Sequence, residues 1–302
     1  MSNPDLQDIH DFLVSLAYKA GEIINNALPD TSGPGSKKNT ADLVTEYDRA
    51  VENMISTSLK ERYPDYQFHG EETYSPDSPL TDAPTFVVDP IDGTVNFVHS
   101  FPYACVSLGF AINRIPAVGV VFNPSTNTLW SAIRGQGAFR NKETPLPLKS
   151  KGNLESVEPL SGLSNALVAI EWGSDRSGPN WETKVRTFEK LGKAKEEGGA
   201  MVRSFRSLGS AALNLCAVAE GTMDVYWEGG CWEWDVCAAW VILTEAGGMM
   251  VDGNPGDGME VGQGWETTLD GRKYLAIRGA SRESQREIVK EFWSFIQGRL
   301  EY

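Results

Sequence analysis

Two carboxylates stand three residues apart, directly after a short apolar run, where they could serve as ligands of a hard cation. Residues 86–88, Phe-Val-Val, have the length and β-branched content of a buried strand, and Asp89 and Asp92 follow them. The intervening proline fixes φ and has no N–H, so we do not expect a regular strand to continue through it. Gly93 then indicates a turn, and Thr94 is placed to cap the helical turn that follows. Taken alone, the motif is also compatible with a solvated loop.

Further acids lie at the predicted ends of other elements. Residues 67–70 are typical of a short strand that breaks at glycine, and they lead directly into Glu71. Far downstream, Asp235 opens a predicted helix over 235–246. Carboxylates at the ends of elements in an α/β protein favour a Mg²⁺ site, because Mg²⁺ takes oxygen ligands and retains waters that leave room for phosphate oxygens.

Other catalytic chemistries have weaker support. The chain contains three histidines and has no Gly-x-Ser-x-Gly elbow, Walker loop or dinucleotide-binding fingerprint in context.

Asp48 is open between two interpretations. With Thr45 three residues before it, Asp48 forms a capping-box pattern at the start of a predicted helix, where the macrodipole also favours an acid. A functional role for Asp48 is about equally well supported.

The composition sets limits on size, partners and location. A chain of 302 residues exceeds the size at which single cores stop growing, so we expect two subdomains. The net charge of −14 argues against nucleic acid and anionic membranes as partners, and an anionic substrate would need a recruited cation. The first 28 residues are too polar for a signal peptide, and no apolar run reaches membrane-spanning length. The four cysteines lack zinc-type spacing, so we expect reduced thiols and a cytoplasmic location.

The elements that must position these acids follow a layered α/β pattern. Closely spaced strands over 103–139 are joined by short turns, which predicts an antiparallel sheet. Beyond them, strand-like and helical segments alternate and end in a predicted helix over 283–300. Residues 146–159, rich in proline, lysine, glycine and serine, favour a subdomain boundary. We therefore predict an N-terminal α+β subdomain, 1–150, and a C-terminal α/β subdomain, 151–302.

Three motifs, in this order and spacing, resemble the inositol monophosphatases of the Mg²⁺-dependent, lithium-sensitive phosphatase superfamily. They are Gly-Glu-Glu at 70–72, Asp-Pro-Ile-Asp-Gly-Thr at 89–94 and Trp-Asp-Val-Cys-Ala at 234–238. The resemblance covers essentially the whole chain. Residues 93–99, Gly-Thr-Val-Asn-Phe-Val-His, resemble the inositol monophosphatase branch more than the fructose bisphosphatases or the bisphosphate nucleotidases.

The resemblance implies a site for two to three Mg²⁺ ions, held by residues of both halves. Glu71, Asp89 and the backbone carbonyl of Ile91 are similar to the ligands of a first, catalytic ion. Asp89, Asp92 and Asp235 match the ligands of a second ion, and Glu71 also reaches a weaker third.

The resemblance also implies catalytic and substrate-binding roles. Thr94 with Asp48 matches the pair that orients and deprotonates the attacking water, and Glu71 is the third implied catalytic residue. On the phosphate side, the implied substrate contacts are Asp92, Asp235 and the backbone N–H groups of Gly93 and Thr94, which would hold the phosphate. On the polyol side, Glu228 would accept hydrogen bonds from ring hydroxyls, and Ser174 and Ala211 are implied as secondary contacts.

The implied fold is a five-layered αβαβα sandwich of the sugar-phosphatase type, and the implied assembly is a homodimer. The implied activity is hydrolysis of inositol monophosphates to inositol and phosphate by a metal-activated water. Two alternatives remain open: a phosphatase of another sugar, polyol or pathway-intermediate phosphate, and a catalytically silent regulatory member. The intact set of acids disfavours the silent form, because such a protein has no need of unscreened acids in one cleft.

Two regions depart from the family's usual pattern. The run 226–234 is bulkier and more acidic, and we expect its Glu233 to be a solvated neighbour of the metal site rather than an electrostatic contributor. Residues 175–200 lie where substrate preference varies in the family, so the resemblance does not fix the preferred polyol.

Overall fold

The computed structural model describes residues 4–27, 35–36, 43–256 and 265–302. These residues form two main β-sheets, seven α-helices and a two-stranded ribbon of β1 (Gly35–Ser36) and β2 (Leu43–Val44). No helix in these ranges is long and apolar enough to cross a bilayer.

The first main sheet is mostly antiparallel. It contains β3 (Gln67–Gly70), β4 (Thr85–Asp92), β5 (Cys105–Ile112), β6 (Ile115–Asn123), β7 (Thr128–Ile133), β8 (Ala138–Arg140) and β9 (Thr144–Pro145), arranged in chain order. β3 is parallel to β4, and every later neighbouring pair is antiparallel. The predicted antiparallel meander is therefore confirmed.

β4 continues through the acidic motif, so the expectation that proline would interrupt the strand is wrong. Asp89 pairs with Ser107 and Asp92 pairs with Cys105, and the register shifts between these two pairs. Because Pro90 lies inside this irregularity, its missing N–H does not break a regular ladder. The sequence showed the proline but not the bulge that accommodates it.

The second main sheet is mixed. It contains β10 (Leu167–Ile170), β11 (Ser204–Arg206), β12 (Val225–Gly229), β13 (Met249–Asp252) and β14 (Lys273–Ile277), and across the sheet their order is β11-β10-β12-β14-β13. β10 is parallel to β11 and β12, whereas β14 is antiparallel to β12 and β13. All five strands follow residue 150, but the division into two subdomains at that position stays a prediction.

Helices cover both faces of each sheet and complete five layers. α1 (Leu6–Asn26) and α2 (Glu46–Arg62) pack on the outer face of the first sheet. α5 (Ala211–Glu220) and α6 (Glu233–Glu245) lie between the sheets, where they contact strands of both. α4 (Gly178–Gly192) and α7 (Arg282–Phe295) pack together on the outer side of the second sheet. The predicted αβαβα sandwich is therefore confirmed.

α6 is the central helix, and it is apolar on almost all sides because it is buried between the sheets. Glycines of the first sheet allow a close approach. A Cβ at Gly119 would lie 2.0 Å from the Ala238 carbonyl oxygen, and one at Gly109 would lie 2.5 Å from Cys237 Sγ. This packing fixes the first turn of α6, which contains Asp235, relative to the acids of β4.

α7 ends at Phe295, so the predicted helix over 283–300 is too long. Contacts with α4 replace helical hydrogen bonding immediately after Phe295, so the helix ends there. The Gln297 N–H donates to Thr187 Oγ1 at 3.0 Å, and Gly298 has a φ of +123°. Because these partners are distant in sequence, helical periodicity could not reveal them.

Candidate metal centre and active site

Three carboxylates converge where β4 ends and α6 begins. Asp89 and Asp92 lie at the end of β4 and Asp235 in the first turn of α6, and their ligand oxygens all lie within 4.8 Å of one another. Asp89 and Asp92 are buried, and Asp235 is half-buried. The structure thus brings together three predicted metal ligands from two distant segments.

The acid cluster, Asp89, Asp92 and Asp235, carries more negative charge than its surroundings can stabilise without a cation. Desolvation, followed by the charges of Glu71 and Asp92, raises the pKa of Asp89 well above its usual range. Desolvation and the charges of Asp92 and Glu71 likewise raise the pKa of Asp235. Burial raises the pKa of Asp92 to about 6, although hydrogen bonds from Ser210 and α5 oppose the rise. An all-oxygen donor set of this charge fits Mg²⁺, since a divalent ion would relieve the repulsion.

Asp92 is held by the start of α5, a contact that the sequence did not predict. Its Oδ2 accepts hydrogen bonds from Ser210 Oγ at 2.5 Å and from the Ala212 N–H at 2.8 Å. Ser210 is also the N-cap of α5, where its Oγ accepts from the Leu213 N–H at 3.2 Å. A serine before a helix is a visible cap signal, but only the fold shows that its hydroxyl reaches Asp92. Ala211, a predicted polyol contact, lies between the two donors.

Thr94 contacts two other predicted site residues, Ile91 and its predicted partner Asp48. Its Oγ1 lies 3.0 Å from the Ile91 carbonyl oxygen and 3.3 Å from Asp48 Oδ1. Asp48 Oδ2 accepts from the Thr45 N–H at 2.8 Å and from Thr45 Oγ1 at 2.5 Å, and the Asp48 N–H donates to Thr45 Oγ1 at 3.4 Å, which completes the capping box of α2. Burial is the main cause that raises the pKa of Asp48. Asp48 therefore caps a helix with one oxygen and faces Thr94 with the other.

Gly93 is the N-cap of α3 (Thr94–Val98), which corrects the prediction that Thr94 would cap this turn. Gly93 has a φ of +90°, and a Cβ there would lie 2.9 Å from the Tyr103 carbonyl oxygen and 3.0 Å from that of Gly209. Glycine is the residue that tolerates both conditions. Because α3 has five residues, a helix dipole adds little here, and the phosphate contacts of the Gly93 and Thr94 N–H groups stay a prediction.

Glu228 is buried at the end of β12, among other titratable groups. Its Oε2 accepts a hydrogen bond from Tyr226 Oη. Burial, followed by the charge of Glu171, raises the pKa of Glu228 to about 7, and Lys184 opposes the rise. Glu228 is also a lesser cause of the raised pKa of Asp235, so it borders the acid cluster.

Glu71 and Ser174 are the remaining predicted site residues. The Glu71 N–H donates to the Val88 carbonyl oxygen at 3.2 Å, which continues the pairing of β3 with β4. Ser174 lies in the loop after β10. This loop runs next to the end of β12, since a Cβ at the preceding residue, Gly173, would be 3.7 Å from the Gly229 carbonyl oxygen. The roles of Glu71 as a ligand and of Ser174 as a polyol contact stay predictions.

Glu171 organises the loop that leads to Ser210, and it is not among the site residues predicted from the sequence. Its Oε1 accepts from the N–H groups of Leu208 and Gly209, at 2.6 and 2.9 Å, and from Asn214 Nδ2 at 2.9 Å. Glu171 follows the buried strand β10, which is the signal that pointed to the acids of β4. The sequence therefore did contain a reason to select it.

Asn96 ties this loop to the first half of the chain. Its Nδ2 lies 2.8 Å from the Tyr103 carbonyl oxygen and 2.6 Å from the Leu208 carbonyl oxygen. The amide thereby bridges the segment after α3 and the loop that Glu171 holds. No spacing rule relates Asn96 to Leu208, so only the fold could reveal this contact.

Glu233 is buried, so the expectation of a solvated neighbour is wrong. Its Oε2 lies 3.9 Å from His69 Nε2, and among the described residues neither atom has a hydrogen-bond partner. His69 precedes Glu71 by two residues and Glu233 precedes Asp235 by two, so the pair spans two segments that bear predicted metal ligands.

A buried all-carboxylate cluster between two sheets defines a metal-dependent protein whose site can also accept phosphate oxygens. The inositol monophosphatase family matches residues 5–297, nearly the whole chain. The chain belongs to the inositol monophosphatase family.

Individual relatives agree with this assignment. The chain is 45% identical over 297 residues to inositol monophosphatase 2 of Saccharomyces cerevisiae, with 96% of this chain and 95% of that protein covered. It is 39% identical over 255 residues to inositol monophosphatase 1 of Homo sapiens, with 83% and 86% covered. The solved structure of SaIMPase-II from Staphylococcus aureus with inositol monophosphate bound is 27% identical, covers 94% of both chains and has a TM-score of 0.68. SaIMPase-II has also been solved with 2′AMP bound.

Proposed function

We propose that this protein hydrolyses inositol monophosphates to inositol and phosphate. The observation that carries the proposal is the convergence of Asp89, Asp92 and Asp235 within 4.8 Å, in a chain of this family. A phosphate dianion is repelled by a protein of net charge −14, and more strongly by buried carboxylates, unless divalent cations are bound between them. A silent regulatory protein would have no need of this arrangement.

Mg²⁺ is the proposed cofactor, with two to three ions per site. Glu71, Asp89 and the Ile91 carbonyl would hold one ion, Asp89, Asp92 and Asp235 would hold a second, and Glu71 would reach a third. The bound ions supply neutralisation of the phosphate charge, acidification of the attacking water and stabilisation of the leaving alkoxide.

Thr94 and Asp48 are proposed to orient and deprotonate the attacking water. The distance of 3.3 Å between Thr94 Oγ1 and Asp48 Oδ1 supports this pairing, because it links a hydroxyl to a carboxylate that can receive a proton. Burial raises the pKa of Asp48, which makes its carboxylate a stronger base. Glu71 is the third proposed catalytic residue, since its charge acts on Asp89 and Asp235.

The substrate contacts are proposed on the same basis. The Gly93 and Thr94 N–H groups would hold the phosphate beside Asp92 and Asp235. Glu228 would accept hydrogen bonds from ring hydroxyls, with Ser174 and Ala211 as secondary polyol contacts. The burial of Glu228 supports its role, because a buried carboxylate is stabilised by the hydroxyl donors that a polyol provides.

Family membership supports four further proposals: a homodimer, a cytoplasmic location, inhibition by Li⁺, and subdomains divided near residue 150. Sedimentation of the purified protein tests the dimer, and a Li⁺ titration of activity tests the inhibition. Limited proteolysis that cuts between 146 and 159 into two stable fragments would support the division.

Phosphate release from a panel of monophosphates tests the proposed function. We expect Mg²⁺-dependent release from inositol monophosphates to be faster than release from other sugar or polyol phosphates and from 2′-AMP. Chelation of the metal should stop the reaction. A preference for a different phosphate would favour the alternative substrate class, and no release from any of them would favour the silent regulatory alternative.

The Asp92→Asn substitution is expected to abolish turnover and leave the fold intact. Asparagine keeps the shape of the side chain and removes a buried charge that other acids repel, so the metal-free protein should not lose stability. Phosphate release and circular dichroism measure the two effects. Activity above about a tenth of the wild-type value in a folded variant would contradict the assignment of Asp92 as a ligand.

A further inference from the structure

The turn that follows Glu228 is held by two cations and an aromatic ring. This turn, residues 229–231, begins at the last residue of β12 and leads into α6, and it therefore links Glu228 to Asp235. Lys184, which is fully buried, donates from Nζ to the Gly229 carbonyl oxygen at 2.8 Å and to that of Trp172 at 3.1 Å. A buried cation is thus fixed directly against the turn.

A second cation, Arg272, binds the same turn. Its Nη2 donates to the Gly230 carbonyl oxygen at 2.9 Å, and its Nε donates to that of Cys231 at 3.3 Å. The Gly230 N–H donates to the Arg272 carbonyl oxygen at 2.8 Å. The guanidinium carbon lies 3.6 Å from the centre of the Trp232 ring, so Arg272 is itself held in place.

Tyr302 fills the space beside the two glycines of this turn. A Cβ at Gly229 would lie 2.7 Å from Tyr302 Cε2, and one at Gly230 would lie 3.0 Å from Tyr302 Cε1. The centre of the Tyr302 ring is 5.6 Å from Lys184 Nζ and 5.4 Å from the Arg272 guanidinium carbon. Both distances are in the range of cation–π attraction. One ring therefore contacts the turn and both cations that bind it.

Two asparagines hold the segment that carries Tyr302. Asn254 Oδ1 accepts from the Leu300 N–H at 2.8 Å, and Asn254 Nδ2 donates to the Leu300 carbonyl oxygen at 2.9 Å. Asn180 makes the same pair of hydrogen bonds to Glu301, at 2.7 and 2.8 Å. Each amide satisfies both backbone groups of one residue, so this segment is fixed immediately before Tyr302.

We propose that Tyr302 is a positioning residue for Glu228 and thereby sets the affinity for the polyol half of the substrate. The inference rests on the proposed function, because it takes Glu228 as the polyol contact. Glycines 229 and 230 give the turn a wide choice of backbone conformations, and the Tyr302 ring restricts that choice by packing against both. Asp235 lies on α6, which is fixed separately by its close packing against Gly109 and Gly119 of the first sheet, so the chemistry at the phosphate should not depend on Tyr302.

Steady-state kinetics of Tyr302→Ala tests the proposal. We expect KM for an inositol monophosphate to rise about tenfold, which is the typical effect of losing one well-packed aromatic contact, with kcat nearly unchanged. KM for p-nitrophenyl phosphate, which has no polyol hydroxyls, should stay at the wild-type value. Tyr302→Phe keeps the ring and should restore KM. The control Tyr18→Ala removes a partly exposed ring on α1 and should leave both substrates unaffected.

Hydrogen exchange of the peptide covering 225–234 gives a readout that does not require activity. The proposal predicts faster exchange of this peptide in Tyr302→Ala, and a smaller effect in the same direction in Asn180→Ala, which removes one asparagine contact. Either unchanged exchange or an unchanged KM in Tyr302→Ala would overturn the proposal. Equal losses with both substrates would also overturn it, because they would show a general structural defect.

The proposed function and this inference fail in different ways. If the wild-type protein hydrolyses no inositol monophosphate, the proposed function fails, and with it the link to the polyol. The exchange measurement would still decide whether Tyr302 holds the turn. If the wild-type protein is active and Tyr302→Ala has an unchanged KM, the proposed function stands and the inference is wrong.

Discussion

Asp48 shows how a single side chain can satisfy two interpretations of a sequence. One carboxylate oxygen accepts the Thr45 N–H in the capping box and also the Thr45 hydroxyl, and the other faces Thr94 Oγ1 at 3.3 Å. A helix cap and a proton acceptor need different oxygens, so neither role excludes the other. The cap is present in the structure, and the catalytic role of Asp48 stays a prediction.

Ser210 leads to a prediction about metal affinity. Loss of its hydroxyl in Ser210→Ala removes the 2.5 Å contact that fixes Asp92, and we expect the Mg²⁺ concentration for half-maximal activity to rise about tenfold or more. Ser210→Thr keeps a hydroxyl and should retain most of the affinity. Ser58→Ala, which removes a hydroxyl that donates to the Met54 carbonyl oxygen within α2, is the control. An unchanged Mg²⁺ dependence in Ser210→Ala would show that Asp92 is positioned without it.

At the level of elements, the approach of α6 to the first sheet decides where Asp235 lies. Gly119→Ala would place a Cβ 2.0 Å from the Ala238 carbonyl oxygen, and a backbone atom cannot move aside as a side chain can. We expect a loss of about 3 kcal/mol or more in the free energy of unfolding, measured by denaturant titration. Gly192→Ala is the matched control, because its Cβ would meet only the edge of the Phe205 ring at 3.2 Å. Similar stabilities of the two variants would contradict this account of the packing.

The contact between α1 and α2 gives a prediction about pH. Asp8 accepts hydrogen bonds from Tyr63 Oη at 2.6 Å and Arg62 Nη2 at 2.5 Å, and these contacts lower the pKa of Asp8 below 3.8. A folded-state pKa below the unfolded value means that the stabilisation is complete above about pH 4 and is lost as pH falls through the folded value. Asp8→Asn should therefore lower Tm at pH 7, and the difference from the wild-type protein should shrink as the pH falls below about 4. A difference that persists at the lower pH would show that charge is not its cause.

At the level of the whole molecule, metal binding should stabilise the fold. The acid cluster joins β4 of the first sheet to α6. Burial, followed by the repulsion between the acids, raises the pKa of Asp89 and of Asp235, and a bound divalent cation would offset both effects. At a free Mg²⁺ concentration of 100 times Kd, a single site would add about 2.7 kcal/mol to the free energy of unfolding. Thermal unfolding should show Tm rising with Mg²⁺ and falling on chelation. Asp92→Asn should lose most of this response, and an equal Mg²⁺ response in that variant would place the ion elsewhere.

Features that depend on neighbouring residues were predicted well, and features that depend on distant partners were not. The helix start at Thr45 and the antiparallel meander followed from caps, turns and alternation. The continuation of β4 past Pro90 and the early end of α7 depended on register and on contacts with α4. The burial of Glu233 is a third case, because its charge predicted a solvated position while the packing of α6 between two sheets put it inside.

The sequence by itself determined which carboxylates are available to hold a metal, in what order they occur, and therefore the family and the class of substrate. Residue types and short spacings carry that information directly. Only the tertiary structure decided how Asp89 and Asp92 meet Asp235, because that meeting depends on how closely α6 packs against the first sheet. It also decided which residues hold these acids in place, among them Ser210 and Glu171, and which fix the turn after Glu228. Those contacts join residues far apart in the chain, and no local pattern encodes a distance between them.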